Sequence, residues 1–397
     1  MAGFVLPRSA SRRGADSHSG VRESTLESPT TLAAVTCGSN HPQIGADRPW
    51  LVVLIPAHNE ANSIAATLEG VLTQERAADE VVVIANGCSD RTADISRRYP
   101  VSVLDLPALP HRKSQALNTA WLQRAQTADI VVCLDADTVI PPHALADWEQ
   151  QIFNGPAIGG VSSKFTMLAP DALSRIQKAE FASWTQTALD RGRTSVLAGT
   201  GCAINGQALR QIAERNDREG PWCYGSTTED FELTYRIREL GYRCIVSPTV
   251  QAYTDSMKTV RALWSQRMKW QVGTIQDLLH IGINRLTFRD WMQQAMALGT
   301  LVSKVLLVAF WSLLIVTGNV RLLWFWIVYP LLFVGLDVVR YRSIPFRDRK
   351  DLILTLLFFP NEAFMWMRAG WVAVSWLSVL INPKKDRWAA QYAAEGV

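Results

Sequence analysis

From residue 50 onward the chain is built of short apolar blocks separated by polar breaks. Residues 51–55 are continuously apolar and end at Pro56-Ala57-His58-Asn59-Glu60. A short run rich in Val, Leu and Ile predicts a strand buried on both faces. Residues 81–85, 101–104 and 128–134 read the same way. Between these runs, residues 62–73 and 113–126 have helical spacing, and the turn 86–90 leads into another helix. Strands alternating with helices over short loops predict an α/β fold with a mostly parallel sheet covered on both faces. Further on, residues 171–189 have helical spacing and 199–206 form a Gly-rich connection, read as a tight turn. A helix opens at Thr227-Thr228-Glu229-Asp230, runs to Leu240 and stops at Gly241, and residues 242–247 add a strand.

The final third changes character. Residues 295–317 are apolar over a bilayer-spanning length of about 20 residues, broken only by Lys304, which can snorkel toward the entry side. Residues 322–339 form a second apolar run, and 352–381 a third, interrupted by Asn361, Glu362 and Arg368. This last stretch is long for one crossing and short for two. Basic segments at Arg340–Lys350 and Lys384–Arg387 belong on the cytoplasmic side by the positive-inside rule. The expected organisation is a disordered leader over residues 1–49, rich in Ser, Thr, Arg and Gly, with no apolar core of a signal peptide. A catalytic domain over 50–290, membrane helices over 291–383 and a cytoplasmic tail over 384–397 follow it.

Composition narrows the function classes. A net charge of +4 is too small to argue for nucleic acid, and no nucleic-acid partner is expected. The six cysteines contain no Cys-x-x-Cys pair and read as free thiols in a reducing compartment, without a zinc site. The absence of a Walker loop and of Gly-x-Gly-x-x-Gly weakens kinase and dehydrogenase readings.

The chemistry concentrates at strand ends. Asp135-Ala136-Asp137 closes the run 128–134, and in open α/β sheets ligands bind beyond the carboxyl ends of strands. Two acids there can hold a divalent cation that neutralises a diphosphate, or can simply make an Asp-rich turn. Thr227 and Asp230 also fit a capping box. In Trp264-Ser265-Gln266-Arg267-Met268-Lys269-Trp270, Gln266 and Trp270 share a helical face with Arg267 beside them. An amphipathic helix resting on a membrane has the same pattern.

Taken in order, these segments resemble the family 2 glycosyltransferases of the GT-A fold, the group that includes cellulose, hyaluronan, chitin-oligosaccharide and poly-N-acetylglucosamine synthases. Residues 55–60 are similar to that family's first nucleotide-contact loop, and 84–92 to the loop that usually reads Asp-Asp-Gly-Ser. Lys113-Ser114-Gln115-Ala116-Leu117-Asn118 is similar to its Lys-x-x-Ala-Leu-Asn segment. Asp135-Ala136-Asp137 resembles the metal and diphosphate motif, Thr228-Glu229-Asp230 the base motif, and Gln266 to Trp270 the Gln-x-x-Arg-Trp motif. Two positions depart: Ala85-Asn86 replaces the paired acids beside the base, and Lys269 replaces Arg, losing the bidentate fork.

The resemblance implies an inverting sugar transfer from a nucleotide sugar, a UDP-sugar first, with Mg2+ or Mn2+. It implies Asp137 and Asp135 on the metal, and Asp230 as general base. Pro56, His58, Glu60, Asn86, Lys113, Asp135 and Ala136 fall on the donor, with Arg267 joining Lys113 at the phosphates. Glu229, Gln266, Arg267 and Trp270 fall on the acceptor or product. The expected acceptor is lipid-linked or a polysaccharide at the lipid bilayer, with polysaccharide assembly or export proteins as partners. A processive synthase, a polyprenyl-phosphate sugar transferase and an inactive nucleotide-binding partner of an assembly complex stay open beside this reading.

Overall fold

The structure, a computed structural model, describes residues 48–397 apart from 156, 168, 216, 320, 322–327, 383–386 and 396–397. The expected disordered leader, up to residue 47, lies outside the described residues. The apolar runs assemble into a seven-stranded sheet. Its strands are β1 (Leu51–Ala57), β2 (Glu80–Asn86), β3 (Ser102–Leu106), β4 (Ile130–Cys133), β5 (Ile158–Thr166), β6 (Cys202–Asn205) and β7 (Arg243–Tyr253). The order is β3-β2-β1-β4-β6-β5-β7. β3, β2, β1 and β4 are mutually parallel, as the strand–helix alternation predicts. β6 runs antiparallel to both β4 and β5, and β5 is parallel to β7. The expected turn over 199–206 is therefore corrected: half of it is strand β6. Its neighbour β5 has Gly159, Gly160, Ser162 and Ser163 in place of a continuous apolar run, so pattern alone does not mark it.

Alternate residues of β1 feed opposite cores. Leu51, Val53 and Ile55 pack with Ile64, Leu68 and Trp148 from α1 (Ile64–Leu72) and α4 (Ala144–Asn154). Val52 and Leu54 face the other way. They meet α3 (Arg112–Ala120), which continues as a π-helical turn through Ala125, and share that core with α6 (Gly206–Ala213) and α7 (Glu229–Glu239). Each such fully buried side chain contributes roughly 1.5–3 kcal/mol. The short α2 (Thr92–Ser96) lies between β2 and β3 in sequence. Because β2, β1 and β4 are parallel neighbours, Asn86, His58 and Asp135 arrive at one rim.

α5 (Ala172–Arg191) and α8 (Val260–Ile281) connect this domain to the apolar helices. α9 (Phe288–Val316) and α12 (Phe358–Ile381) are each long and apolar enough to cross a membrane. Only 11% of the most apolar window of α9 is buried by protein, which separates it from a soluble core helix. α12 lays Phe364, Trp371 and Val372 against Leu263, Met268 and Val272 of α8.

Of the expected run 322–339, residues 322–327 lie outside the described residues and all of the remainder is in α10 (Val328–Tyr341). The run 352–381 is not one span: α11 (Arg349–Leu356) stops at extended Leu357 before α12 begins. Its polar interruptions all have partners. Asn361 Nδ2 donates to the carbonyls of Leu354 and Leu357, both at 3.1 Å. Glu362 pairs with Lys304 of α9. Lys304 is thus buried beside an acid at its own level instead of snorkelling. Arg175 and Lys178 of α5 hold Asp351 at 2.6 and 2.9 Å, which docks α11 onto the catalytic domain.

Candidate active site

A cleft of about 1330 Å3 opens at the sheet rim. It begins where β4 ends. Asp135 N donates to Gly199 O at 2.9 Å and Thr138 N to Asp135 O at 3.1 Å, which turns the chain so that Asp135 and Asp137 both line the cleft. Ala136 between them packs inward, and its carbonyl accepts from Thr67 Oγ1 at 2.9 Å. Thr138 and Thr254 hydroxyls donate to Asp137 at 3.1 and 3.3 Å. Burial, then the charge of Asp135, raises the Asp137 pKa to about 6.

Lys113, near the start of α3, reaches across. Its Nζ is 2.5 Å from Asp135 Oδ1 and 3.5 Å from Glu229 Oε1. Burial opposes its charge, but Asp135 and Glu229 outweigh it and hold the ammonium protonated. Gly199 makes room: a Cβ there would lie 2.6 Å from the Lys113 ammonium. Glu229 and Asp230 open α7 on the far wall. Asp230 is half-buried, and desolvation with the Glu229 charge lifts its pKa to about 6, against the pull of Lys113. The Thr227 capping box does not form. Thr228 is the N-cap without a side-chain cap bond, and its hydroxyl instead donates to Asp277 of α8 at 2.8 Å.

The other expected donor residues gather beside β1 and β2. His58 Nδ1 donates to Asn86 O at 2.8 Å, and Asn86 Oδ1 accepts from Leu109 N at 3.1 Å. Glu60 lines the same edge; burial lifts its pKa to about 7 against the Ser63 hydroxyl bond, with Asp137 and Asp135 adding to the rise. Pro56 lines the cleft as well.

The Gln266–Trp270 segment sits deeper. Arg267 is almost fully buried and donates to Glu180 of α5 at 2.9 Å. Its guanidinium lies 4.4 Å from the Trp270 ring centroid and 5.3 Å from that of Phe181. The guanidinium expected at phosphates is thus committed to Glu180 and an aromatic surround. Gln266 Oε1 accepts from Arg267 at 2.6 Å.

One wall was not expected. The segment read as a tail contains α13 (Arg387–Glu395), which packs on α8. Tyr392 lies on His58 with ring centroids 4.9 Å apart, and Lys269 Nζ sits 3.2 Å from the Trp388 ring centroid. The substituted lysine is a compact cation over an aromatic face. Trp388, Gln391 and Tyr392 fall three and four apart, the one signal in the sequence that marks this face.

A divalent cation fits this donor set. Asp135 and Asp137 offer only hard oxygen ligands, suited to Mg2+ or Mn2+, and desolvation of Asp137, with the Asp135 charge beside it, raises the Asp137 pKa. Among the described residues no group of three or more His, Cys, Asp or Glu side chains is arranged around one point.

A sequence profile described as "Glycosyltransferase like family 2" matches residues 48–273. The chain is 26% identical over 296 residues to a poly-beta-1,6-N-acetyl-D-glucosamine synthase of Staphylococcus epidermidis, covering 71% of this chain and 68% of that one. It is 28% identical over 244 residues to the Staphylococcus aureus synthase of the same name, covering 60% of this chain and 58% of that relative. Among solved structures, a mannosyltransferase from Pyrobaculum calidifontis in complex with GDP-Man and Mn2+ superposes with a TM-score of 0.60 at 19% identity. The match covers 86% of this chain and 89% of that one, and places the domain in the GT-A fold. The profile spans more than half of the chain, and the chain belongs to the family 2 glycosyltransferases.

Proposed function

We propose that this enzyme moves a hexose or N-acetylhexosamine, with inversion, from a nucleotide sugar to a lipid-linked or polysaccharide acceptor at the cytoplasmic membrane face. The observation that carries the reading is the meeting of Asp135 and Glu229, neighbour of Asp230, around the Lys113 ammonium in one cleft. The names of the staphylococcal relatives support N-acetylglucosamine within that sugar class.

In this reading Asp137 and Asp135 hold Mg2+ or Mn2+, which when bound offsets negative charge on the departing diphosphate. Lys113 meets the same diphosphate with a fixed ammonium, while Pro56, His58, Glu60, Asn86 and Ala136 frame the nucleoside. The acceptor hydroxyl attacks the anomeric carbon as the bond to the diphosphate oxygen breaks, and Asp230 takes the hydroxyl proton. Glu229, Gln266 and Trp270 shape the acceptor end, with Trp270 offering a ring face and Arg267 holding it in place. α9 and α12 anchor the enzyme as an integral membrane protein, beside polysaccharide assembly or export proteins. Chain synthesis by repeated transfer is the second reading, and the relatives' names favour it.

The test is incubation of membranes bearing the protein with a panel of radiolabelled nucleotide sugars, sorting product into lipid extract and polymer. The reading expects chelator-sensitive incorporation from a UDP-hexose or UDP-N-acetylhexosamine. No incorporation from any donor, or incorporation indifferent to chelator, goes against it.

A further inference from the structure

The donor chemistry occupies one half of the cleft; the other half runs to the N-terminal head of α9 and the middle of α12. Arg191 and Arg193 flank Gly192, whose left-handed φ of 60° ends α5. Arg289 stands in the first turn of α9. Ser195 Oγ donates to Asp290 Oδ1 at 3.1 Å, and Tyr235 Oη donates to the other carboxylate oxygen, so the loop after α5 is fastened to the head of α9. This brings Arg191, Arg193 and Arg289 to one end of the cleft, which all three line. Asp290 is buried and used in those bonds. Among the described residues the ion pairs nearby go to Arg175, Lys178, Arg236 and Arg267, and none goes to these three arginines. The same cleft is lined by Met296 and Ala297 from α9 and by Met365 and Ala369 from α12, with Gln293, Thr300 and Arg368 among them. Arg289 precedes the apolar stretch of α9 by about six residues, roughly 9 Å of helix, which sets it at headgroup depth.

We propose that this end binds the phosphate or diphosphate linkage of a lipid-anchored acceptor, its alkyl chain lying between α9 and α12 and its sugar reaching Asp230. The inference rests on the donor reading of the other half and names the acceptor class. Guanidinium forks match phosphate oxygens two at a time, and a neutral polysaccharide offers them no anion.

The test uses the full chain in nanodiscs of phosphatidylcholine, with binding read by tryptophan fluorescence. The probes are farnesyl diphosphate, farnesol and inorganic diphosphate. Farnesyl diphosphate should bind about ten-fold or more tighter than either of the others, since two charged hydrogen bonds and an alkyl chain act together. The combined variant Arg191→Ala, Arg193→Ala, Arg289→Ala should lose that advantage while still binding UDP with Mn2+, which also shows that it is folded. Equal binding of farnesol, an unchanged farnesyl diphosphate affinity in the variant, or displacement by excess UDP and Mn2+ would each overturn the proposal. Failure of the parent chain to bind UDP with Mn2+ would instead strike the donor reading, leaving the farnesyl diphosphate comparison to decide this one.

Discussion

Replacing Asp277 by Asn should stabilise the protein, and by more at pH 8 than at pH 5. Asp277 sits on α8, 7% exposed, and its Oδ2 accepts from Ser226 Oγ and Thr228 Oγ1, both at 2.8 Å. Burial raises its pKa from 3.8 to about 7, against the two hydroxyl bonds, with Glu232 and Asp230 adding to the rise. The folded pKa lies above the unfolded one, so between about pH 4 and pH 7 the native state keeps a proton that the unfolded chain has lost. Stability contributed by this group therefore falls as pH rises through that window. A separation of about three pH units corresponds to on the order of 4 kcal/mol in full, of which about 2–3 kcal/mol falls between pH 5 and pH 8. Asn does not titrate and its amide oxygen can accept the same two hydroxyls. Urea unfolding of the detergent-solubilised chain at both pH values gives the comparison. The advantage of the variant should grow by about 2–3 kcal/mol from pH 5 to pH 8. A constant gap, or one that shrinks with pH, refutes the reasoning.

Other consequences can be checked in the same preparation. Glu180→Gln strands the buried Arg267 guanidinium and should cost about 3–5 kcal/mol, much of it recovered when Arg267→Met is added, as measured by a double-mutant unfolding cycle. Lys304→Met alone leaves Glu362 without its ammonium between two apolar helices; it should unfold at a lower denaturant concentration than Lys304→Met with Glu362→Leu. Trp388→Ala removes the ring under Lys269 and should loosen α13 by about 1–2 kcal/mol, seen as faster amide exchange over residues 387–395 with little change in β1.

What pattern reading recovers, and what it misses, follows from the range of the interactions. β1, β2 and β4 are continuous apolar runs with both faces covered, so each is visible in its own few residues. β5 and β6 are not: Gly and Ser interrupt β5, β6 is only four residues, Cys-Ala-Ile-Asn, and antiparallel pairing across the sheet decides their state. Asp135, Asp137 and Asp230 stand in short motifs at element ends, where local chemistry marks them. The residues that hold the site together do not: Glu180 is 87 positions from Arg267, and Asp277 is 49 from Thr228. Lys304 and Glu362 were each legible as polar interruptions of apolar runs, but their pairing over 58 positions was not.

The most direct measurement is calorimetric titration of UDP with Mn2+ into Asp230→Asn and Asp137→Asn, run beside their transfer rates. The account predicts that Asp230→Asn binds within about three-fold of the parent yet transfers on the order of 10²–10⁴ times more slowly. It predicts that Asp137→Asn loses the Mn2+-dependent part of binding. Near-parental turnover by Asp230→Asn, or undiminished Mn2+-dependent binding by Asp137→Asn, would contradict it.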